Sequence, residues 1–370
     1  MDIQRPSGAG ELAALLAEAN GKSQTIQLGG TFTKDGMGGP VEPSDVVVST
    51  AAMRQVLQYE PGDLTISVEA GMPFAELSEL LARNRQMIPL DPIYFKTATI
   101  GGVVACNCCG PRRRLYGTAR DLIIGMTFVT LEGKIVKSGG MVVKNVAGLD
   151  MAKLMIGSFG TLAAIASINF KLIPIPEQSK TFVRQFDTAE EAIEFRDAVL
   201  DSVLQPASID LLNPLAAARV ALHRWSVLVQ VSGNEAVIAR ASSELGTTNS
   251  LQDGSCDRIR EFTPEFLRDY PDGAVARISC TLSQLRQLMV ELRVPGVARA
   301  GNGICYAYFK EADEAALYGH RGAIEFAPET KKRKMTLWPG TGSDFALMTK
   351  IKEMFDPKHL LNRGRLYGRI

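Results

Sequence analysis

Histidine, tryptophan and net charge are all scarce in this chain. Its 370 residues include 3 histidines and 2 tryptophans, and 41 basic side chains stand against 40 acidic ones for a formal charge of +1. A near-neutral chain is not a general nucleic-acid binder, which needs a strongly basic surface. His223, His320 and His359 are dispersed, with no HxH or HExxH pattern, so no histidine-based metal centre is written here. No basic cluster leads into an apolar run at the N-terminus, so no secretory signal is expected. The six cysteines are then expected as reduced thiols in a cytoplasmic protein, not as a disulfide framework.

Long apolar runs are also rare. "LMIGSFGTLAAIASINF", Leu154 to Phe170, carries no charge, but it only reaches the short end of the about 17–25 residues that a spanning helix needs. Gly157, Ser158, Gly160 and Thr161 interrupt it. The expectation is a buried helix end, a turn at Gly157–Gly160 and a core strand.

Glycine is abundant, at 34 residues, with 18 prolines beside it. Four glycine-rich loops precede Pro174: "LGGTFTKDGMGG" (28–39), "TIGGVVACNCCG" (99–110), "KNVAGLD" (144–150) and "GSFGT" (157–161). None has the GxGxxG spacing of a Rossmann fingerprint. Glycine lets the main chain approach a diphosphate closely and aim N–H groups at it. Four such loops in one domain favour a phosphorylated cofactor over plain turns.

The second loop raises its own question, because Cys106, Cys108 and Cys109 precede Arg112, Arg113 and Arg114. Cys-Asn-Cys-Cys is not a CxxC pair, and Cys256, Cys280 and Cys305 stand alone, so neither zinc nor an iron–sulfur cluster has a ligand set. Small apolar thiols lining a core loop are expected. The arginines fit two descriptions: a solvated edge, or cations that neutralise a diphosphate or grip a substrate carboxylate bidentately.

Before Pro176 the pattern is of short strands and helices, including a hairpin through Glu132–Gly133. After it, "TAEEAIEFRDAVLDS" and "NEAVIARASSELG" read as helices among the strands "SIDLL", "WSVLVQVSG", "VARISC" and "ICYAYF". That β-α-β-β-α-β-like texture predicts an antiparallel sheet with helices on one face. "GNGICYAYFK" could present Asn302, Tyr306 and Tyr308 to a pocket, but is expected as a buried strand.

The order of these segments resembles flavoproteins of the vanillyl-alcohol oxidase / p-cresol methylhydroxylase (PCMH) type and, within them, the FAD-binding subunit of bacterial glycolate oxidase. "GGVVAC…GPRR…RD", "KNVAGLD…LMIGSFGTL" and the C-terminal "N-x-GR-x-Y" carry the resemblance. It runs through residues 24–176 and resumes at "DPKHLLNRGRLYG" (356–368), while 177–330 match only loosely. Phe32, the extra glycines after Asp35, Ala163 and Arg363 depart from the usual pattern.

The resemblance implies an α+β architecture. An FAD-binding domain of two subdomains would span 1–176 and a smaller antiparallel α+β cap 177–330, with 331–370 returning to the FAD domain. It implies FAD without a covalent link, since 28–39 contains neither His nor Cys. Carried over by residue, Gly29, Gly30, Thr31, Phe32, Thr33 and Lys34 form the first diphosphate loop. Asp91, Thr99, Gly101, Gly102, Ala105, Gly110, Arg112, Arg113, Gly117 and Asp121 form the second flavin-contacting stretch. Gly148, Gly160 and Ile165 lie along the adenine or ribityl side, and Asn362 and Arg365 approach the flavin ring.

The implied reaction is oxidation of a small 2-hydroxy acid, glycolate to glyoxylate. Arg112, Arg113, Arg114 and Arg365 are the candidate cations for the carboxylate, no residue stands out as the base, and no metal site is expected. The implied partners are a second flavin subunit and an iron–sulfur subunit, with any membrane association peripheral and through that complex. A self-sufficient FAD-dependent dehydrogenase or oxidase and a non-catalytic flavin-binding assembly protein stay open as alternatives.

Overall fold

The computed structural model describes residues 2–142, 148–251, 255–315, 322–368 and 370. His320, the Cys256 side chain and residues 144–147 of the third glycine loop lie outside that description. The protein is α+β and forms two compact units from non-contiguous pieces. The first comprises Met1–Cys109, Thr118–Ile175 and Gly340–Ile370, and the second Gly110–Gly117 and Pro176–Pro339.

In the first unit, three parallel strands lie in the order Ile3–Gln4, Val46–Ser49, Ile26–Gly29. The Ala9–Gly21 helix carries Leu12, Ala13, Leu16 and Ala19 at helical spacing and buries them with Ile26 and Val48. A second sheet is antiparallel, in the order Val56–Glu60, Thr65–Glu69, Ala164–Lys171, Ile123–Val129, Ile135–Gly139.

Its middle strand, Ala164–Lys171, comes from the charge-free stretch. It follows the short helix Ala152–Met155 and a turn with positive φ at Gly157, Phe159 and Gly160. The strand is apolar at successive positions because both of its faces are buried. Ala164 and Ala166 join the cluster around the first helix, while Ile165, Ile168 and Phe170 join a second cluster. A bulge makes this possible: Ile165 pairs with Phe128 and Ser167 with Thr127, so Ala166 is skipped and the alternation changes phase. Among the described residues no helix is long and apolar enough to cross a membrane.

The second unit is a seven-stranded antiparallel sheet. Its order is Gln178–Phe186, Trp225–Gly233, Ser208–Leu212, Gly296–Arg299, Ile304–Phe309, Ala274–Ser279, Gly322–Phe326. The helices Ala189–Asp201, Glu235–Glu244 and Leu285–Glu291 pack with it in one core. The expected helix-covered antiparallel sheet is present, widened by three strands whose sequences give weak signals. Tyr308 is a buried strand residue, its hydroxyl 3.0 Å from Thr263 Oγ1. Arg299 donates to Asp210 at 3.0 Å from the neighbouring strand and lies over the Tyr306 ring.

The C-terminal piece joins the first unit through a buried charge. Lys352, on the Phe345–Phe355 helix, has a side chain 1% exposed. Its Nζ donates to Asp356 Oδ2 at 2.6 Å, to the Thr161 carbonyl at 2.7 Å and to the Leu361 carbonyl at 3.2 Å. Asp356 in turn accepts from the Leu360 and Leu361 amides at 2.9 and 2.8 Å. A buried ion pair is tolerable when its remaining valences are filled in this way. We expect Lys352→Met to destabilise the protein by about 3–5 kcal/mol, because it leaves Asp356 as an unpaired buried charge. The double variant Lys352→Met/Asp356→Leu should recover part of that loss, as read by urea midpoints at constant slope.

Candidate functional site

Four segments of the first unit line one cleft of about 870 Å³, part of it open to solvent. They are the loop after the Ile26–Gly29 strand, the helix Ile100–Ala105, the turn and strand from Phe159 to Ile165, and the C-terminal residues Asn362, Arg363 and Arg365. Their loops carry the unusual backbone. Phe32, Phe159 and Asn362 have positive φ, as do Gly38, Gly160 and Gly364.

Asn362 locks three of these segments together. Its side-chain carbonyl accepts the Leu28 amide at 2.7 Å, and its amide nitrogen donates to the Leu28 and Phe159 carbonyls at 2.9 and 2.7 Å. A Cβ on Gly160 would stand 2.8 Å from that nitrogen. Arg365 performs the same service for the first loop. Nη1 donates to the Asp35 carbonyl at 2.9 Å, and Nη2 to those of Lys34 and Met37 at 3.0 and 2.6 Å. The Arg365 guanidinium therefore clamps backbone, and both of its terminal nitrogens are engaged.

The two glycines of the second loop differ in what surrounds them. A Cβ on Gly101 would meet Ala70 Cβ at 2.8 Å and its carbonyl at 3.0 Å. At Gly102, apart from its chain neighbours and its own helix backbone, the only atom of the described residues within 4 Å would be Thr99 Oγ1, at 3.2 Å. Gly101 is thus required by the fold, whereas Gly102 bares its backbone to the cleft.

Among the anticipated residues, Gly29 to Lys34, Thr99, Gly101, Gly102, Ala105, Gly160, Ile165, Asn362 and Arg365 all line this cleft. Asp91, Asp121 and Gly148 do not. Asp91 is buried with φ +48, and Gly148 is exposed with φ +78. Asp121 accepts from the Thr118 amide at 2.8 Å and caps the Ala119–Leu122 turn; that bond holds its carboxyl below the ordinary range.

Gly110, Arg112, Arg113 and Gly117 belong to the second unit. There Arg114 donates to the Pro206 carbonyl at 3.2 Å, and its stem passes so close to Gly301 that a Cβ there would be 2.6 Å from Cδ. Burial lowers the pKa of this guanidinium.

Sequence reasoning missed Gln27, Glu42, Ser44 and Thr50 as lining residues. They sit on strand ends and turns with no motif of their own. Cys106 also lines the cleft, while Cys108 is the buried member of the trio. No group of His, Cys, Asp or Glu suited to a metal ion occurs among the described residues.

Two family models match the chain: an FAD binding domain over residues 3–139 and the C-terminal domain of FAD linked oxidases over 330–366. These contain the first loop, the glycine helix and the C-terminal clamp. The fold is also that of p-cresol methylhydroxylase with substrate bound, at a TM-score of 0.77 and 14% identity over 98% of this chain and 88% of that one. The chain binds FAD and has the PCMH-type fold.

Among its relatives is the glycolate oxidase subunit GlcE of Escherichia coli, 30% identical over 63% of this chain. That alignment spans 64% of the subunit, just under two thirds of its length. The D-lactate dehydrogenase of Archaeoglobus fulgidus is 26% identical over 100% of this chain and 91% of its own.

The cleft fits FAD in two respects. The Gly102 backbone presents open main chain, which a dinucleotide can approach closely. Lys34, which lines the cleft and is 6% exposed, has a buried Nζ with no hydrogen-bond partner among the described residues. A buried cation without a counter-charge is costly, and an anionic cofactor supplies one.

We expect Gly102→Val to abolish FAD retention while leaving the unfolding midpoint of the flavin-free protein within a few degrees of wild type, since the added side chain enters the cleft and not the core. The 450 nm to 280 nm absorbance ratio and a thermal melt check this. Acid precipitation of wild type should release all flavin colour into the supernatant, as non-covalent binding requires.

Proposed function

We propose that the chain is the FAD-binding subunit of a glycolate oxidase-type complex, a 2-hydroxy acid:acceptor oxidoreductase that takes glycolate to glyoxylate together with a second flavin subunit and an iron–sulfur subunit. The relationship to GlcE supports this most directly. The scarcity of histidine agrees with a division of labour: three dispersed histidines give the chain little with which to polarise and deprotonate a hydroxyl by itself.

Bound FAD supplies hydride acceptance from the substrate carbon. The chain's own residues hold and position it. The Gly29–Lys34 loop and Gly102 offer backbone and charge to the diphosphate, and Asn362 and Arg365 keep the surrounding segments in register. Arg112 and Arg113 are the candidate cations for the substrate carboxylate. The 177–330 stretch then stands as the cap domain. The hydroxyl proton leaves to a base supplied outside this chain, and the electrons leave through the iron–sulfur subunit.

The alternative is a self-sufficient D-2-hydroxy acid dehydrogenase, favoured by the end-to-end match with the archaeal D-lactate dehydrogenase. Anaerobic mixing of the isolated flavoprotein with glycolate or D-lactate separates the two. The subunit reading expects slow or negligible bleaching of the flavin alone and rapid bleaching once the two partner subunits from the same genome are added. Fast, complete bleaching by the isolated chain would establish the alternative.

A further inference from the structure

The seven-stranded sheet of the second unit turns one face away from the helices Ala189–Asp201, Glu235–Glu244 and Leu285–Glu291. Cys305, Ala307 and Phe309 of one strand join the helix-side core, as do Ala274, Ala276 and Ile278 of its neighbour. Strand alternation therefore places Tyr306, Tyr308 and Arg277 on the opposite face. Ile209, Leu211 and Ala298 fix the same orientation for Asp210 and Arg299.

The two ends of that face differ. At one end the Phe262–Asp269 helix closes over Tyr308, with the Phe262 and Phe266 rings 4.7 and 5.2 Å from it and Thr263 Oγ1 3.0 Å from its hydroxyl. The other end is a polar row across four adjacent strands. Asp210 stands opposite Arg299, the Arg299 guanidinium lies over the Tyr306 ring at 5.7 Å, and Tyr306 stands opposite Arg277. Residues directly opposite on one sheet face are in side-chain contact range.

Two arginines thus flank one tyrosine, and they differ in what they hold. Arg299 is 8% exposed and donates from Nη1 to Asp210 Oδ1 at 3.0 Å. Arg277 is half-buried, and among the described residues it makes no hydrogen bond and has no carboxylate within 4 Å. Glu325, on the adjacent Gly322–Phe326 strand, feels the Arg277 charge. Burial outweighs that attraction, holds the Glu325 carboxyl above the ordinary range and favours its neutral form. Asp210 offsets Arg299, so the row keeps one guanidinium without an anion.

We propose that Arg277 binds the carboxylate of a small organic acid, with Tyr306 beside it, at the polar end of this sheet face. A guanidinium presents paired N–H groups that match the two oxygens of a carboxylate. A cation partly removed from water gains most from an anion that completes it. The inference takes its ligand class from the hydroxy-acid reading above, and adds Arg277 to Arg112 and Arg113 as a cation for the carboxylate.

The test titrates the flavin-loaded full chain by calorimetry, at constant ionic strength, with glycolate and with oxalate, which has no C–H hydrogen to lose. Arg277→Met should keep the flavin content and melting midpoint of wild type, since no hydrogen bond of the fold ends on that guanidinium. It should bind both acids about 10–100-fold more weakly, the size of one charged hydrogen-bonding contact. Arg277→Lys keeps the charge and loses the fork, so its affinity should fall between the two. Arg112→Met and Arg113→Met should each cost less affinity than Arg277→Met.

Unchanged oxalate affinity in Arg277→Met would overturn the proposal. So would a larger loss in Arg112→Met or Arg113→Met, which would return the carboxylate to the arginine run, and so would a wild type that binds no oxalate. Should Arg277→Met not fold, Arg277→Gln is read in the same way. Oxalate held through Arg277 in a chain that oxidises no hydroxy acid, even with the two partner subunits added, would sustain this inference and remove the functional reading instead.

Discussion

The cleft depends on one constraint: the chain's last turn must be held against a loop more than three hundred residues earlier. Lys352 and Asp356 set the anchor, a buried pair whose spare donors and acceptors are filled by the Thr161 and Leu361 carbonyls and the Leu360 and Leu361 amides. From that anchor the chain extends beside the Ile26–Gly29 strand, where the Ile26 amide donates to the Leu360 carbonyl and the Asn362 amide to the Ile26 carbonyl. Asn362 and Arg365 then reach the flanking loops by side chain. Backbone hydrogen bonds of these irregular loops could not all be met locally, and these two residues meet them from outside.

The close approach of loop to loop explains much of the glycine. A Cβ on Gly39 would stand 2.0 Å from the Gly364 carbonyl, and one on Gly30 would stand 2.1 Å from Thr99 Oγ1. These glycines serve packing of protein against protein. Gly102 is of another kind, because what its missing side chain leaves open is the cleft. Glycine-rich loops in one domain can therefore serve two ends, and only the neighbouring atoms distinguish them.

Buried charge shows the same contrast. The Lys352 ammonium is buried with three acceptors and supports the fold. The Lys34 Nζ is buried with no hydrogen-bond partner among the described residues.

The sequence alone determined the fold class and most of the cleft's lining. Glycine runs, hydrophobic periodicity and turn residues are local, and the residues from Gly29 to Lys34, Gly101, Gly102, Gly160 and Asn362 were legible through the family resemblance that their motifs carry. Residues outside motifs were not: Gln27, Glu42 and Thr50 line the cleft only because strands distant in sequence end beside one another. The roles of the arginines were equally hidden. Arg365 was a candidate for catalysis until its nitrogens proved to be engaged by three carbonyls, and Arg114 until it was found packed on Gly301. Lys352 and Asp356 are spaced four apart on an amphipathic helix, like any exposed ion pair in the sequence. Whether a charge is solvated, paired or waiting for a ligand depends on desolvation and on partners far along the chain, and tertiary structure alone decides both.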